Sequence, residues 1–369
     1  MKTRKVYLLK DEAFTAAQTK TVDINIKDPI SSFDIIVRMV NGSAMTEASV
    51  VKIHDEFSKI ELIDGSDVII SASMRELQSL NAAELKTIPP MDCNLDNDAV
   101  QVEQCSIHFG VGKNDPKHYF EPVNFKNPQL KITNTLTTPA ETAWAASGHT
   151  LSVVANIIEE GAQPSEGFFM TKEIYAHTAV DAAIETIDLP RDFPYRLLMI
   201  EALKTAYSPI STVEKIKISC DADKYIPYDI DTRDLILENR AMFGILTQGL
   251  KKRLTGAGTI ATDLYDQLKA AVTQGTSLSV VGLVTCSGEV ITTEGLVGAA
   301  GVNALDTTET LFYASAFGYS LHSALYLPFG RLDDAKEWFD AAKWNDIKLK
   351  LTGESAAGTV KTVLQQLRS

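Results

Sequence analysis

An all-β fold of two tandem β-sandwiches with short helices in their loops is predicted from three features of the sequence. The first is an internal repeat, because residues 57–81 (FSKIELIDGSDVIISASMRELQSLN) resemble residues 213–239 (VEKIKISCDADKYIPYDIDTRDLILEN). The second is a series of short apolar stretches with turn residues about every 8–12 positions, as in sandwiches. The third is a β-branched run that closes each half, at 150–158 and 359–367. Since 369 residues are many for one core, the repeat indicates two similar domains.

The two copies align along a unit of strand, turn, strand and helix. The aligned pairs are Lys59 with Lys215, Ile60 with Ile216, Asp67 with Asp223, 75–77 with 233–235, and Asn81 with Asn239. Farther along the chain, Phe109-Gly110 recurs as Phe329-Gly330, and residues 130–133 recur as 349–352. The repeat therefore extends over most of both halves.

Strands are predicted in the apolar or alternating stretches between turn signals. In the first half these are 21–26, 33–40, 57–63, 68–70, 100–109, 129–135 and 151–158. Their counterparts in the second half are 184–189, 195–203, 213–219, 225–228, 321–329, 347–351 and 360–367. Asp64-Gly65 predicts a hairpin turn, because glycine tolerates the positive φ of a tight turn.

A short helix follows the hairpin in each copy. In the first copy Ser73 precedes an apolar helical stripe, and Glu76 lies three residues later, which predicts a capping box. In the second copy Asp231 is the predicted cap.

We predict an N-terminal arm at residues 1–20, a first sandwich at 21–162 and a second at 163–369. The second copy carries a large insertion at about 240–302, since Phe109 follows Asn81 by 28 positions whereas Phe329 follows Asn239 by 90. Within the insertion, the sequence predicts an amphipathic helix at 260–272 and an apolar hairpin with strands at 278–286 and 290–293.

Composition excludes several classes of protein. With 35 Lys and Arg against 48 Asp and Glu, the net charge of −13 argues against direct nucleic-acid binding, which needs clustered basic residues. The N-terminal apolar stretch is too short for a secretory signal, and no stretch approaches the length of a membrane span. The four cysteines form no C-x-x-C pair, which predicts free thiols in a reducing compartment.

No set of residues predicts catalysis, so we expect a protein that is not an enzyme. The six histidines show no metal-binding spacing and are interpreted as single structural residues: His54, His108, His118, His149, His177 and His322. The sequence contains no G-x-S-x-G motif, and the glycines of 295–301 lack the ending of a phosphate-binding loop. The turn aspartates Asp64, Asp67, Asp221 and Asp223 are potential ligands of a structural calcium ion, but a plain hairpin turn, in which Asp accepts backbone N–H bonds, explains them without a metal.

Together these features resemble the double jelly-roll major capsid proteins of tailless icosahedral viruses, particularly bacteriophages with an internal membrane. The resemblance lies in K-I-x-L…D-G-S-D…R-E-L-x-x-L-N, in N-P-Q-L-K-I-T, and in W-N-D-I-K-L-K-L-T, and it covers residues 20–369. It implies that each sandwich is an eight-stranded jelly roll standing upright on a shell. It also implies a homotrimer that forms a pseudo-hexameric capsomer of an icosahedral virion, with neighbouring capsomers, penton proteins and minor capsid proteins as partners.

Under this resemblance, the basic residues of the arm would contact an inner viral membrane or a neighbouring capsomer. These residues are Lys2, Arg4, Lys5 and Lys10. Basic residues favour an anionic lipid surface by about 1 kcal/mol each. A disordered terminus is the alternative. Removal of residues 1–20 is expected to leave the fold intact but to impair shell assembly or membrane association.

A carbohydrate-binding or glycan-cleaving tandem β-sandwich is the alternative function, and a minor spike or scaffold protein of the same fold is a third. Against the carbohydrate alternative, aromatic residues make up 8% of the chain and include 3 tryptophans, whereas sugar sites use exposed aromatic platforms.

Overall fold

A computed structural model describes most of the chain. The described residues are 1–42, 52–94, 98–136, 144–204, 207–252, 259–261, 263–265, 269–274, 279–287, 290–292 and 312–369. Strands make up most of the described residues. Three α-helices are present among them, α1 (Ile53–Glu56), α2 (Met74–Leu85) and α3 (Thr232–Phe243).

The described part of the first half has nine strands, eight of which form two four-stranded layers. They are β1 (Lys2–Phe14), β2 (Gln18–Asp23), β3 (Ile30–Val40), β4 (Lys59–Asp64), β5 (Asp67–Ala72), β6 (Met91–Asn94), β7 (Val100–His108), β8 (Pro128–Asn134) and β9 (His149–Glu160). One layer has the order β1-β9-β3-β7, with β6 added beside β7, and the other has the order β2-β8-β4-β5. Their inner faces enclose an apolar core that includes Phe33, Phe109 and Leu130.

The second half repeats this arrangement. Its strands are β10 (Phe168–Thr178), β11 (Ile184–Asp188), β12 (Tyr195–Leu203), β13 (Val213–Cys220), β14 (Tyr225–Asp231), β15 (Leu246–Lys252), β16 (Thr259–Ala261), β17 (Leu264–Tyr265), β18 (Lys269–Gln274), β19 (Ser279–Ser287), β20 (Val290–Thr292), β21 (Phe312–Gly318), β22 (Ser320–Leu321), β23 (Ala324–Pro328), β24 (Ile347–Gly353) and β25 (Thr359–Arg368). Strands β10-β25-β12-β23 and β11-β24-β13-β14 are adjacent in the same order as their counterparts. The prediction of two tandem eight-stranded jelly rolls is confirmed.

The N-terminal residues differ from the predicted arm of residues 1–20. Residues 2–14 form β1, which pairs antiparallel with β9 from Lys2↔Glu160 to Phe14↔His149. Its position in the first jelly roll is that of β10 in the second, where Phe168 pairs with Arg368. The sequence did not reveal this strand because β1 lies at a sheet edge and buries only Phe14 completely, so its hydrophobic pattern is weak.

The insertion also differs from the prediction in part. The stretch 260–272, predicted as a helix, contains parts of β16 and β18 and all of β17. The predicted hairpin is confirmed, since β19 pairs antiparallel with β20. Strand β15 pairs in parallel with β6 of the first half, so the insertion extends a sheet of the first jelly roll. The rest of the predicted insertion 240–302, including the glycines at 295–301, lies outside the described residues.

The aligned asparagines of the repeat make the same contact in both halves. The Asn81 side chain donates to the carbonyl of Ser106 (2.8 Å) and accepts from its N–H (2.7 Å). The Asn239 side chain binds the main chain of Tyr326 in the same way, with both distances 2.8 Å. Each pair of hydrogen bonds attaches a helix, α2 or α3, to a strand of its own half, β7 or β23. The sequence repeat therefore preserves a specific contact between helix and sheet.

The turn aspartates act as backbone acceptors. Asp64 accepts from the N–H groups of Lys126 and Asn127 (3.2 and 2.7 Å). Its counterpart Asp221 accepts from the N–H groups of Asn345 and Asp346 (both 2.9 Å). Hydrogen bonds to the backbone thus account for both carboxylates, as the simple hairpin interpretation expects.

Helix α2 lies between the two jelly rolls. Its capping box is formed as predicted, with Ser73 and Glu76 hydrogen-bonded to each other's backbone N–H. Leu80 and Ala83 pack on the outer face of the second jelly roll, in a cluster with Leu197, Met199, Phe243, Ala324, Tyr326 and Val363. Both faces of the helix are therefore covered within one chain.

Among the described residues, no helix is long and apolar enough to cross a membrane.

Deletion of residues 1–14 is predicted to destabilise the protein severely. The deletion removes β1, leaves the edge of β9 unpaired and takes Phe14 from the core. We expect loss of the folded state or of roughly 4 kcal/mol or more of the free energy of unfolding, measured by thermal and urea denaturation. The double variant Lys5→Ala, Lys10→Ala keeps the strand and serves as the control. A deletion variant as stable as the control would show that β1 is dispensable.

The substitution Asn239→Ala is predicted to cost about 2–4 kcal/mol, because the buried N–H and carbonyl of Tyr326 lose their partners. Urea denaturation measures the effect. Glu238→Ala, at the neighbouring exposed position of α3, should change stability by less than about 0.5 kcal/mol. Equal effects of the two substitutions would contradict the role of this contact.

Candidate functional site

The basic residues predicted to contact a membrane or a neighbour lie on β1, and two of them are paired within the chain. Lys2 forms ion pairs with Glu159 (3.1 Å) and Glu160 (3.6 Å). Arg4 pairs with Asp28 (2.7 Å) and Glu159 (3.5 Å). The positive charge of these two residues is thus balanced by nearby carboxylates.

Lys5 and Lys10 are exposed on the same strand. Lys10 Nζ lies 5.6 Å from the centre of the Tyr7 ring, and Tyr7 is itself 55% exposed. Val6 and Leu8 pack against the core of the first jelly roll. Because side chains alternate along a strand, Lys5 and Tyr7 face outward. They offer a basic and aromatic surface at the start of the chain.

A buried set of polar contacts joins α2 to the second jelly roll, and we call this region the junction. At one end Arg196 Nη2 pairs with Glu84 (3.1 Å), and its Nε donates to the carbonyl of Leu332 (2.9 Å). The guanidinium also lies 4.4 Å from the centre of the Phe169 ring. Burial alone would raise the pKa of Glu84, but the neighbouring His108 and Arg196 hold it below its ordinary value. This ion pair connects the two halves.

A group of carboxylates surrounds Lys361 near the middle of the junction. Lys361 Nζ contacts Glu76 (3.2 Å) and Glu173 (3.1 Å), and Glu201 lies close by. Burial, together with the charge of Glu201, raises the pKa of Glu76 to about 8. Burial raises the pKa of Glu201 to about 7, and neither of its carboxylate oxygens has a hydrogen-bond partner. The junction therefore holds protons that acidic side chains ordinarily release.

The other end of the junction holds His54, His322 and Asp263, which the sequence did not predict to meet. All three side chains are buried, with 2–3% of each residue exposed. The two imidazole centres lie 4.4 Å apart, and His54 Nε2 lies 3.5 Å from Asp263 Oδ1. Burial, together with the charge of His54, lowers the pKa of His322 well below its ordinary value. Burial alone would raise the pKa of Asp263, but Lys52 and His54 hold it far below its ordinary range.

The sequence carries a signal for the charged residues of the junction but none for its histidines. Arg196 and Glu201 interrupt the apolar run YRLLMIEAL, and an ionisable residue inside such a run indicates a buried polar group with a specific role. No comparable signal exists for the histidines. His54 belongs to the first half, and Asp263 and His322 belong to different segments of the second, so no spacing rule applies to them.

An aromatic groove at the end of the second jelly roll bears on the carbohydrate alternative. Tyr225 stacks on Trp344, with ring centres 5.1 Å apart and planes 5° apart, and lies nearly parallel to Phe339. Tyr225 is 46% exposed, whereas Trp344 and Phe339 pack against the core. These rings therefore cover part of one another, and Tyr225 is the most exposed of the three.

Glu201→Gln is predicted to flatten the dependence of stability on pH. The pKa of Glu201 is raised from 4.5 to about 7 in the folded chain, so the folded state binds more protons than the unfolded state between these values. The stability of the native protein should therefore fall as pH rises from about 4.5 to 7, and continue to fall to about 8 through Glu76.

Thermal unfolding between pH 5 and 8 measures this effect. The Gln variant should lose part of the slope and exceed the native protein in stability at pH 8. Glu238→Gln, on the exposed face of α3, should leave the slope unchanged. Parallel curves for all three proteins would contradict the assignment of the raised pKa.

No protein-family model matches the chain, and no curated protein matches it. Solved structures do match over its whole length. The STIV MCP is 10% identical with a TM-score of 0.61, and the match covers 100% of this chain and 97% of that one. A chain in the atomic structure of Sulfolobus Turreted Icosahedral Virus is 10% identical with a TM-score of 0.60, and the match covers 100% of this chain and 91% of that one.

The major capsid protein of bacteriophage PM2 is 11% identical with a TM-score of 0.52, and the match covers 100% of this chain and 98% of that one. At these identities the similarity concerns the fold. The strand order of the two halves and these matches agree, so the chain has the double jelly-roll fold of these capsid proteins.

Proposed function

We propose that the chain is a viral major capsid protein that forms homotrimers and assembles an icosahedral shell. The observation that carries the proposal is the repetition of one strand order in two jelly rolls, matched over the full length of this chain by proteins named as major capsid proteins. The role is structural rather than catalytic. Three copies of a doubled domain present six similar units, which suits a pseudo-hexameric capsomer in a shell.

The two repeated helices support self-association because they differ in how they are covered. Helix α2 is buried on both sides, since the second jelly roll packs on Leu80 and Ala83. The corresponding face of α3 is exposed and carries large apolar side chains. Leu237 is 58% exposed, Met242 41%, and Ile245, just beyond the helix, 55%.

The interface inside the chain therefore provides a template for the interface between chains. In our proposal, α3 of one chain packs on the first jelly roll of a second chain, much as α2 packs on the second jelly roll of its own. The receiving sheet begins with β1, whose exposed Lys5 and Lys10 would face the acidic residues Asp234 and Glu238 of α3. Head-to-tail contacts of this kind form a closed trimer when each chain is rotated by a third of a turn relative to the last.

This placement favours a neighbouring chain over a membrane as the partner of Lys5 and Lys10. Lys2 and Arg4 already have carboxylate partners within the chain, which weakens attraction to anionic lipid. An upright orientation on the shell, contacts with penton and minor capsid proteins, and residence in the virion are parts of the same proposal. The proposal includes no direct nucleic-acid binding, which agrees with the net charge of −13.

Size-exclusion chromatography with light scattering, followed by negative-stain microscopy, tests the proposal. A trimer with a pseudo-hexagonal outline is expected from the full-length protein. A stable monomer at high concentration that binds glycans on an array would contradict it and favour the carbohydrate alternative.

The double substitution Leu237→Glu, Met242→Glu is predicted to convert the trimer to a monomer. Both residues are exposed in the single chain, so the variant should stay folded, with the circular dichroism spectrum of the native protein, while the apolar contact between chains is lost. Val180→Glu, at a 61% exposed apolar position elsewhere, serves as the control and should leave the trimer intact. A trimer that survives the double substitution would exclude α3 from the interface.

A further inference from the structure

We propose that His54, His322 and Asp263 form a binding site for a transition-metal cation, with zinc the best match, that fastens the two jelly rolls together. One potential ligand atom from each residue lies within 4.8 Å of those from the other two. The site concerns the single chain and does not rest on its proposed role in a capsid.

Hydrogen-bond direction at Gln78 and Glu103 determines which imidazole nitrogens face the site. Gln78 Nε2 donates to Glu103 Oε2 (2.9 Å) and lies 3.4 Å from the carbonyl oxygen of Gln104, which establishes it as the amide nitrogen. Its oxygen, Oε1, therefore accepts from His322 Nε2 (2.9 Å). The same Glu103 oxygen lies 3.0 Å from His54 Nδ1 and accepts from it.

Each imidazole thus has one nitrogen held as a donor in neighbouring hydrogen bonds. In the neutral rings, the other nitrogens, Nε2 of His54 and Nδ1 of His322, carry lone pairs. This pattern, in which the second ring nitrogen donates to a carboxylate or amide oxygen, is characteristic of metal-binding histidines. It fixes the tautomer and the orientation that a metal needs.

The buried charges around the two histidines favour a cation. Asp263 and Glu103 are two buried carboxylates in contact with His54. Lys52 supplies one positive charge through its ion pair with Asp263 Oδ1. In the form that binds a metal both imidazoles are neutral, and these groups then sum to one negative charge in a buried space, which is unfavourable. A divalent cation between the two nitrogens and the carboxylate would remove this deficit.

The types of ligand atom indicate the class of metal. Two imidazole nitrogens and one carboxylate oxygen suit zinc and similar transition metals, whereas calcium and magnesium prefer oxygen ligands throughout. Asp263 Oδ2 accepts from Gln248 Nε2 (2.6 Å), so the carboxylate is also held in position. A carboxylate oxygen can accept from Lys52 and bind a metal through its second lone pair. Three protein ligands with solvent in the fourth position is an established zinc coordination.

Such a metal would connect three segments that are distant in the sequence. His54 lies in α1 of the first jelly roll, and Asp263 lies beside β17 of the insertion. His322 lies in the turn between β22 and β23 of the second jelly roll. Binding should therefore stabilise the packing of the two halves in addition to each local segment.

The test uses the full-length protein after dialysis against a chelator and then against metal-free buffer. Titration with Co²⁺ should give one equivalent bound per chain, with the strong visible absorption of a four-coordinate site, and Zn²⁺ should displace it. One equivalent of Zn²⁺ should raise the unfolding temperature by about 3 °C or more. A native protein that shows neither stoichiometric cobalt absorption nor a zinc-dependent shift overturns the proposal.

His322→Asn tests the ligand assignment while retaining a residue that tolerates the positive φ of 53° at this position. It should abolish the cobalt absorption and the zinc-dependent shift. His177→Asn, outside the junction, is the matched control and should retain both. If His322→Asn does not fold, Asp263→Asn replaces it, and retention of one equivalent of cobalt by either variant overturns the ligand set.

Lys52→Met tests whether the cation of the native site is a metal or the ammonium group of Lys52. If the metal belongs to the native site, this variant should bind Co²⁺ at least as tightly as the native protein, because a competing positive charge is removed. If only the Met variant binds cobalt, Lys52 is the cation of the native site and the proposal is wrong.

Discussion

The fold of this chain depends on the burial of α2 between two jelly rolls. An amphipathic helix on the surface of a single jelly roll would leave Leu80 and Ala83 in water, and the second jelly roll covers them. Because nine of the twelve residues of α2 are buried, their polar side chains must find partners inside the protein. Glu76, Gln78 and Glu84 do so with groups of the second half, and these contacts orient the two halves.

The two repeated helices share their contact with their own sheet and differ on the opposite face. The asparagine that ties each helix to its own sheet is the same in both copies, at Asn81 and Asn239. The positions that face away from that sheet differ, since Ser79 is buried at the junction whereas the corresponding Leu237 is exposed. The contact that builds each domain has been kept, and the surface that meets a neighbour has diverged.

The sequence predicted the duplicated sandwich because hairpins and capping boxes depend on residues close together in the chain. Asp64-Gly65, the Ser73 cap and the β19–β20 hairpin are of this kind. Strand β1 escaped prediction because an edge strand buries little, and residues 260–272 were assigned to a helix because a short apolar pattern suits both structures. The junction cluster depends on tertiary packing, which brings together residues 54, 263 and 322 without any local pattern.

In both jelly rolls the first strand pairs with the last, β1 with β9 and β10 with β25. In each jelly roll the first strand starts where the last strand ends, as shown by Lys2 opposite Glu160 and Phe168 opposite Arg368. A unit whose ends meet at one corner can be joined to a second copy through a few residues, without rerouting any strand. The seven residues from Gly161 to Gly167 make that connection here. A fusion of two copies of a single-domain gene would therefore yield this topology in one step.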